Sequence, residues 1–203
     1  MQYRLPDGRT FELANELVLP VDRRTTIELH ASDVIHSFWV PSLAGKTDMI
    51  PGRVNRMGLE PTRVGEYRGV CAEYCGLSHA RMAFRVLVVT EDEYRAWYEH
   101  QLTEARTPRG ASSASGHIAA GALGCGACHR IRGLGFEGEI GPDLTHVGSR
   151  TTVGAMELPN TLEGFERWLE QVDHLKPGAA MPAYDMIDPD RRRELASFLE
   201  NLK

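Results

Sequence analysis

Apolar and polar positions divide the chain into a first half of short alternating runs and a second half of longer helical stripes. Leu17-Val18-Leu19 is a short apolar strand closed by Pro20, and Thr25 to His30 alternates, with Ile27 and Leu29 on one face and Thr26 and Glu28 on the other. Turn signals follow at Gly45, Pro51-Gly52, Pro61 and Gly65, and they leave room for strands over 53–59 and 66–70. Phe84 to Val89 is nearly all apolar, as expected of a strand buried on both faces. Short strands separated by Gly/Pro turns predict an all-β sandwich or Greek-key barrel.

The period then changes. Thr90 with Glu93 three positions on forms a capping box, and Tyr94, Trp97, Tyr98 and Leu102 share one face of the helix it starts. Residues 103–115 lose all periodicity, and their Pro, Gly, Ser and Ala content predicts a flexible linker. The expected organisation is therefore a β-domain at 1–102, a linker at 103–115 and a helical domain at 116–203. The last helix is signalled by Asp188 as cap, Pro189 in the first turn and a stripe of Leu195, Phe198, Leu199 and Leu202.

Composition narrows the function classes. The 203 residues are 42% hydrophobic and 25% charged, ordinary values for a globular protein, and suffice for two small domains. A net charge of −5 is too small and of the wrong sign for a nucleic-acid binder. No apolar run approaches the ~18–20 residues that span a bilayer. Residues 1–22 are polar and broken by Pro6, Gly8 and Pro20, unlike a secretory signal. The four cysteines fall into two close pairs that chemistry other than a disulfide can use.

The first pair lies in Cys71-Ala72-Glu73-Tyr74-Cys75-Gly76-Leu77-Ser78-His79-Ala80-Arg81-Met82. Two thiols, an imidazole and a thioether within twelve residues form a soft donor set suited to copper, zinc or iron–sulfur, and the Met favours copper. A second imidazole is available at His36. A mononuclear copper site needs one Cys, so two Cys four apart point to two metals sharing thiolates. A structural zinc site is the plainer alternative for a Cys pair with a His.

The second pair lies in Cys125-Gly126-Ala127-Cys128-His129, the c-type haem attachment signature, in which each thiol adds to a haem vinyl group and the His faces the iron. A redox Cys pair or half a zinc site is the alternative, but the adjacent His and the lack of another Cys pair count against it. Met/His ligation marks electron-transfer cytochromes, and Met156, Met181 and Met186 are the thioethers downstream.

His36-Ser37, Pro41-Ser42-Leu43, Lys46-Thr47-Asp48, Ile50-Pro51-Gly52-Arg53 and the Cys-x-Glu-x-Cys-x-x-x-His-x-x-Met loop together resemble subunit II of haem–copper cytochrome c oxidases, over about residues 15–98. That resemblance implies a cupredoxin-like Greek-key sandwich and a dinuclear copper centre (CuA). Cys71 and Cys75 would bridge, His36 and His79 would ligate, and Met82 and the Glu73 carbonyl would be further ligands. It also implies that the Glu73 carboxylate helps hold magnesium against the catalytic subunit. Nitrous oxide reductase, which has a related centre, usually carries Trp at the position of Glu73.

From Gly116 to Lys203 the chain resembles an all-α class I cytochrome c. That resemblance implies covalent haem c at Cys125 and Cys128, His129 and Met181 as axial ligands, and a Pro142 carbonyl orienting His129. It also places Arg150 and Trp168 beside the haem propionates. A copper domain followed by a cytochrome domain is similar to subunit II of caa-type oxidases. The implied role is electron transfer in a terminal oxidase, from an external cytochrome c or other periplasmic redox protein through haem c and CuA to catalytic subunit I. The implied place is the outer face of a bacterial cytoplasmic membrane, this chain being a soluble piece without the family's N-terminal helices.

Overall fold

The computed structural model describes residues 1–5, 7–106 and 109–203. Two compact units divide the chain: Asn15–His100, and Met1–Ala14 together with Gln101–Lys203. Strands β1 (Gln2–Arg4) and β2 (Thr10–Glu12) open the second of these as an antiparallel hairpin, with Tyr3 stacked on Phe11 at 4.8 Å.

Within 15–100, strands β3 (Glu16–Pro20), β4 (Thr25–Leu29), β5 (His36–Trp39), β6 (Thr47–Met49), β7 (Asn55–Leu59), β8 (Gly65–Cys71) and β9 (Ala83–Val89) form two sheets. One has five strands in the order β3-β9-β8-β5-β6, and the other is the antiparallel pair β4-β7. The expected alternation in β4 holds, since Leu29 is buried and Ile27 half-buried while Thr26 and Glu28 are exposed. Strand β9 lies between β3 and β8, and no residue of it is exposed. That central place explains its nearly continuous apolar run.

Helix α1 (Glu91–Gln101) begins with the expected capping box: Thr90 N–H donates to Glu93 Oε2 (2.9 Å) and Glu93 N–H to Thr90 Oγ1 (3.4 Å). Arg23, between β3 and β4, pins the helix. Its guanidinium bonds Glu91 at 2.9 Å and lies 4.8 Å from the centre of the buried Tyr94 ring.

Of the segment expected as a linker, Thr107 and Pro108 lie outside the described residues. Ala105 is buried in the helical core, and α2 (Ala111–Ala122) starts well before residue 116. Ser113 is buried within α2, and at Gly116, the position just after the expected linker, a Cβ would stand 2.0 Å from the Glu194 carbonyl, so the helix packs closely there.

Helix α3 (Leu162–Leu175) is capped by Thr161, whose hydroxyl accepts from Gly164 N–H at 3.1 Å. Helix α4 (Pro189–Glu200) is capped by Asp188, accepting from Asp190 N–H at 2.9 Å. Its Leu195 and Phe198, with Leu202 just beyond, are buried with Phe165, Leu169, Ala119 and Ala120, so the C-terminal stripe is core. His117 of α2 stacks on Phe198 at 5.3 Å. Two hairpins of two-residue strands, β10 (Arg130–Ile131) with β11 (Phe136–Glu137) and β12 (Thr152–Val153) with β13 (Leu158–Pro159), add small strand content to a unit expected to be purely helical. Among the described residues, no helix is long and apolar enough to cross a membrane.

The contact between α2 and α4 makes a graded test possible. Gly116→Ala should destabilise the helical unit by roughly 1–3 kcal/mol, because backbone must move to admit the methyl. Gly121→Ala, on the same helix with open space around it, should stabilise by about 0.5–1 kcal/mol. Thermal unfolding of both variants measures the difference, and equal effects would contradict close packing at Gly116.

Candidate metal centre and haem-attachment site

The copper-type donors are assembled by strand pairing. In β5 and β8, Phe38 stands opposite Cys71, so the N-terminal end of β5 brings His36 beside the C-terminal end of β8. The loop leaving β8 is tied down where Ala72 N–H donates to the Ser37 carbonyl (2.9 Å) and Cys71 N–H to the Met82 carbonyl (3.0 Å). A short 3-10 turn, His79–Arg81, then returns the chain to β9. Gly76 has φ of 125°, a conformation that favours glycine at the sharpest bend of the loop.

Five donors converge there. Cys71 Sγ lies 3.8 Å from Cys75 Sγ and 3.8 Å from His36 Nδ1. Cys75 Sγ lies 3.5 Å from His79 Nδ1 and 3.3 Å from Met82 Sδ. The Glu73 carbonyl accepts from the Cys71 thiol at 3.2 Å, while the rest of Glu73 is exposed. Each imidazole thus faces a different sulfur, and the sulfurs face one another. His36, Cys71 and Cys75 alone place their ligand atoms within 4.8 Å of one another.

Charge at the pair is divided. Burial pushes the Cys71 thiol up, but the Ser37 backbone, His36 and Cys75 outweigh it by hydrogen bonding and bring it down to about 7. Burial and the neighbouring Cys71 sulfur push Cys75 up to about 11. Two close thiols resist ionising together, and a cation between them is what removes that conflict. The donor set therefore fits a soft metal pair.

Sequence reasoning missed the group behind His36. Asp33 Oδ1 lies 2.9 Å from His36 Nε2, so the ring is held through one nitrogen while the other faces Cys71. Burial alone would lower the His36 pKa, but Asp33 and Cys71 raise it. A carboxylate three positions before a candidate ligand was the available signal. Ser37 was read only as part of a motif. Its hydroxyl donates to Asp48 at 2.8 Å, and Lys46 pairs with the same carboxylate at 3.2 Å.

In the other unit, Cys125–Ala127 form a 3-10 turn and His129 N–H donates to the Cys125 carbonyl at 2.9 Å. His129 Nδ1 lies 2.7 Å from the Pro142 carbonyl. A carbonyl can only accept, so Nδ1 carries the proton and Nε2 keeps the lone pair that an iron requires. Gly141 is needed beside it, since a Cβ there would stand 2.5 Å from the His129 ring. These features fit a haem joined at Cys125 and Cys128. Burial pushes the Cys125 thiol up, and Tyr184 hydrogen-bonds to it. Tyr184 is a second residue that the sequence left unread.

The three thioethers separate clearly. Met181, like Cys125 and Tyr184, packs against the helical core, whereas Met186 is 89% exposed. Met156 sits at φ of 72° in the turn between β12 and β13. Trp168 packs against the same core and covers Gly154, where a Cβ would stand 2.3 Å from its ring. Arg150 donates to the Asp143 carbonyl, one residue beyond Pro142.

Comparison with known proteins agrees in both halves. The family model described as cytochrome c oxidase subunit II, periplasmic domain, matches residues 2–89, and that of cytochrome c matches residues 113–203. Cytochrome c oxidase subunit 2 of Alkalihalophilus pseudofirmus is 37% identical over 197 residues, covering 97% of this chain and 57% of the relative. That of Bacillus subtilis is 31% identical over 200 residues, covering 94% and 56%. The chain thus spans somewhat more than half the length of these relatives. Among solved structures, the periplasmic domain of subunit II of cytochrome oxidase of Bradyrhizobium japonicum is 31% identical with a TM-score of 0.44, covering 49% of this chain and 83% of that one. The two cysteine-centred sites thus fall in two domains, the first similar to the periplasmic domain of cytochrome c oxidase subunit II and the second to cytochrome c.

Proposed function

We propose that the chain relays electrons in a terminal respiratory oxidase. They pass from an external donor such as a cytochrome c, by way of haem c and then dinuclear copper, to the haem of the catalytic subunit that reduces oxygen to water. The single observation that carries this reading is the convergence of two thiols, two imidazoles and a thioether on one short loop and one strand end. His36 and His79 would each ligate one copper, with Cys71 and Cys75 shared between both. Met82 Sδ and the Glu73 carbonyl would complete the set.

The protein's part is to hold these groups still. Strand ends β5 and β8 fix His36 and Cys71, and the backbone bonds at Ala72 and Cys71 fix the loop. A rigid donor set limits the geometric change that accompanies gain or loss of one electron. In the second unit, Cys125 and Cys128 would carry the haem covalently, and His129 and Met181 would hold its iron, which would supply one-electron chemistry. Arg150 and Trp168 would stand beside the propionates. The exposed Glu73 carboxylate is free to hold magnesium against the catalytic subunit. The place of action is the outer face of a bacterial cytoplasmic membrane.

Copper EPR with metal analysis tests the first centre. The loaded chain should hold two coppers and one covalent haem, with one unpaired electron shared by both coppers. Cys71→Ser or Cys75→Ser should abolish the sharing. A spectrum of one localised Cu(II) in the unaltered chain would contradict the dinuclear reading.

Absorption of the ferric haem tests the second. Met181→Ala should remove the Met–iron charge-transfer band at the red end of the spectrum, and Met186→Ala should leave it intact. Loss of the band in Met186→Ala alone would transfer the ligand role to that residue.

A further inference from the structure

Arg132 helps tie the segment that leaves α1 to the helical unit, and the same arginine reaches the loop behind His129. Arg132 Nη2 donates to the Gln101 carbonyl at 2.7 Å, and the Arg132 carbonyl accepts from Ala105 N–H at 2.9 Å. On its other side, Arg132 N–H and Nε donate to Thr145 Oγ1 at 3.0 and 3.3 Å, and Nε lies 3.4 Å from Asp143 Oδ2. The Asp143 side chain is only 8% exposed and also accepts from Thr145 N–H at 2.8 Å. Asp143 directly follows Pro142, whose carbonyl accepts from His129 Nδ1 at 2.7 Å.

We propose that Arg132 is a positioning residue: a two-ended clamp that fixes the segment 101–105 at one end and the Pro142 carbonyl against His129 at the other. The inference rests on the covalent-haem reading above and names a residue to which that reading gives no role.

The physical reason lies in the buried carboxylate. A planar fork can serve Gln101, Thr145 and Asp143 together, which a single ammonium cannot. Removing it leaves Asp143 enclosed without its cation, and a buried carboxylate without a partner is strongly unfavourable. The cheapest relief is for the 142–145 loop to swing Asp143 towards water. That movement draws the Pro142 carbonyl away from His129 Nδ1. A weaker bond at Nδ1 makes the imidazole a poorer donor through Nε2, and less electron donation to the ferric state raises the haem reduction potential.

The segment keeps a second anchor when Arg132 is changed. His146 Nε2 is 3.1 Å from the Thr103 carbonyl, and Glu104 lies against Gly133, where a Cβ would come within 2.9 Å of the Glu104 side chain. The variants should therefore fold.

The test compares Arg132→Ala and Arg132→Lys with the unaltered, haem-loaded chain. NMR follows exchange of the His129 Nδ1 proton and of the Ala105 amide, and a redox titration gives the haem potential. Arg132→Ala removes the guanidinium's bonds to Gln101 and Asp143 but keeps the main-chain carbonyl that Ala105 uses, so both protons should exchange at least ~tenfold faster through loosening of the two segments, and the potential should rise. Arg132→Lys should fall between the two, because its charge still reaches Asp143 but its fork is gone. Faster exchange at Ala105 with an unchanged His129 proton and potential would reduce Arg132 to a tie for the segment and overturn the proposal. Should Arg132→Ala not fold, Arg132→Lys alone decides by the same two readouts. The haem reading is judged separately, by whether the unaltered chain carries covalent haem at all.

Discussion

The pairing of β5 with β8 is the constraint on which the copper-type site depends. Phe38 stands opposite Cys71, and from that register His36 and the whole Cys71–Met82 loop emerge at one end of one sheet. Because side chains alternate along a strand, a slip of one residue would turn His36 or Cys71 to the opposite face. The neighbours make such a slip costly. Phe38 stacks on Phe84 at 5.0 Å, and Gly69 leaves room for that ring, since a Cβ there would stand 2.1 Å from it. Sheet packing thus sets a register, and the register sets the distance between imidazole and thiol.

The second unit solves a similar problem with hydrogen bonds in place of a sheet. Its site is a single turn, so His129 depends on the loop at Gly141–Thr145 for its orientation. Backbone bonds from Gly141 N–H to the Cys128 carbonyl (2.6 Å) and from Leu144 N–H to the Arg130 carbonyl (2.8 Å) lay the loop along the turn. The Asp143 carboxylate and Arg132 then close it from behind. Both units hold the imidazole of a proposed ligand by its far nitrogen, Asp33 behind His36 and Pro142 behind His129. One holder is a carboxylate and the other a neutral carbonyl.

Much of this was legible in the sequence because it is local. The Thr90 capping box, the Asp188 cap, the β4 alternation, the apolar β9 and the α4 stripe are each signalled by residues close together in the chain. So do both cysteine motifs. What was not legible depends on contacts between distant residues. Asp33 looks like any polar loop residue until His36 is seen to face Cys71 from thirty-five positions away. Arg132 looks like one more surface arginine until the fold brings Gln101 and Asp143 to it. Residues 111–115 carry linker composition yet belong to α2, and the close approach of α4 shows only at Gly116, where no side chain fits. Met181 and Met186 differ by burial, which five residues of sequence separation cannot reveal.

The proposed relay between two redox centres depends on their sharing one chain, which keeps each at high effective concentration for the other. Flash reduction of the haem in the fully loaded chain, followed at the copper absorption, tests it most directly. Transfer from haem to copper should be first order, at a rate that stays constant when protein concentration is varied tenfold. Reduction of the haem by an external cytochrome should instead scale with donor concentration. Haem-to-copper transfer whose rate rises in proportion to protein concentration would mean that the centres meet only between molecules, and would contradict the relay.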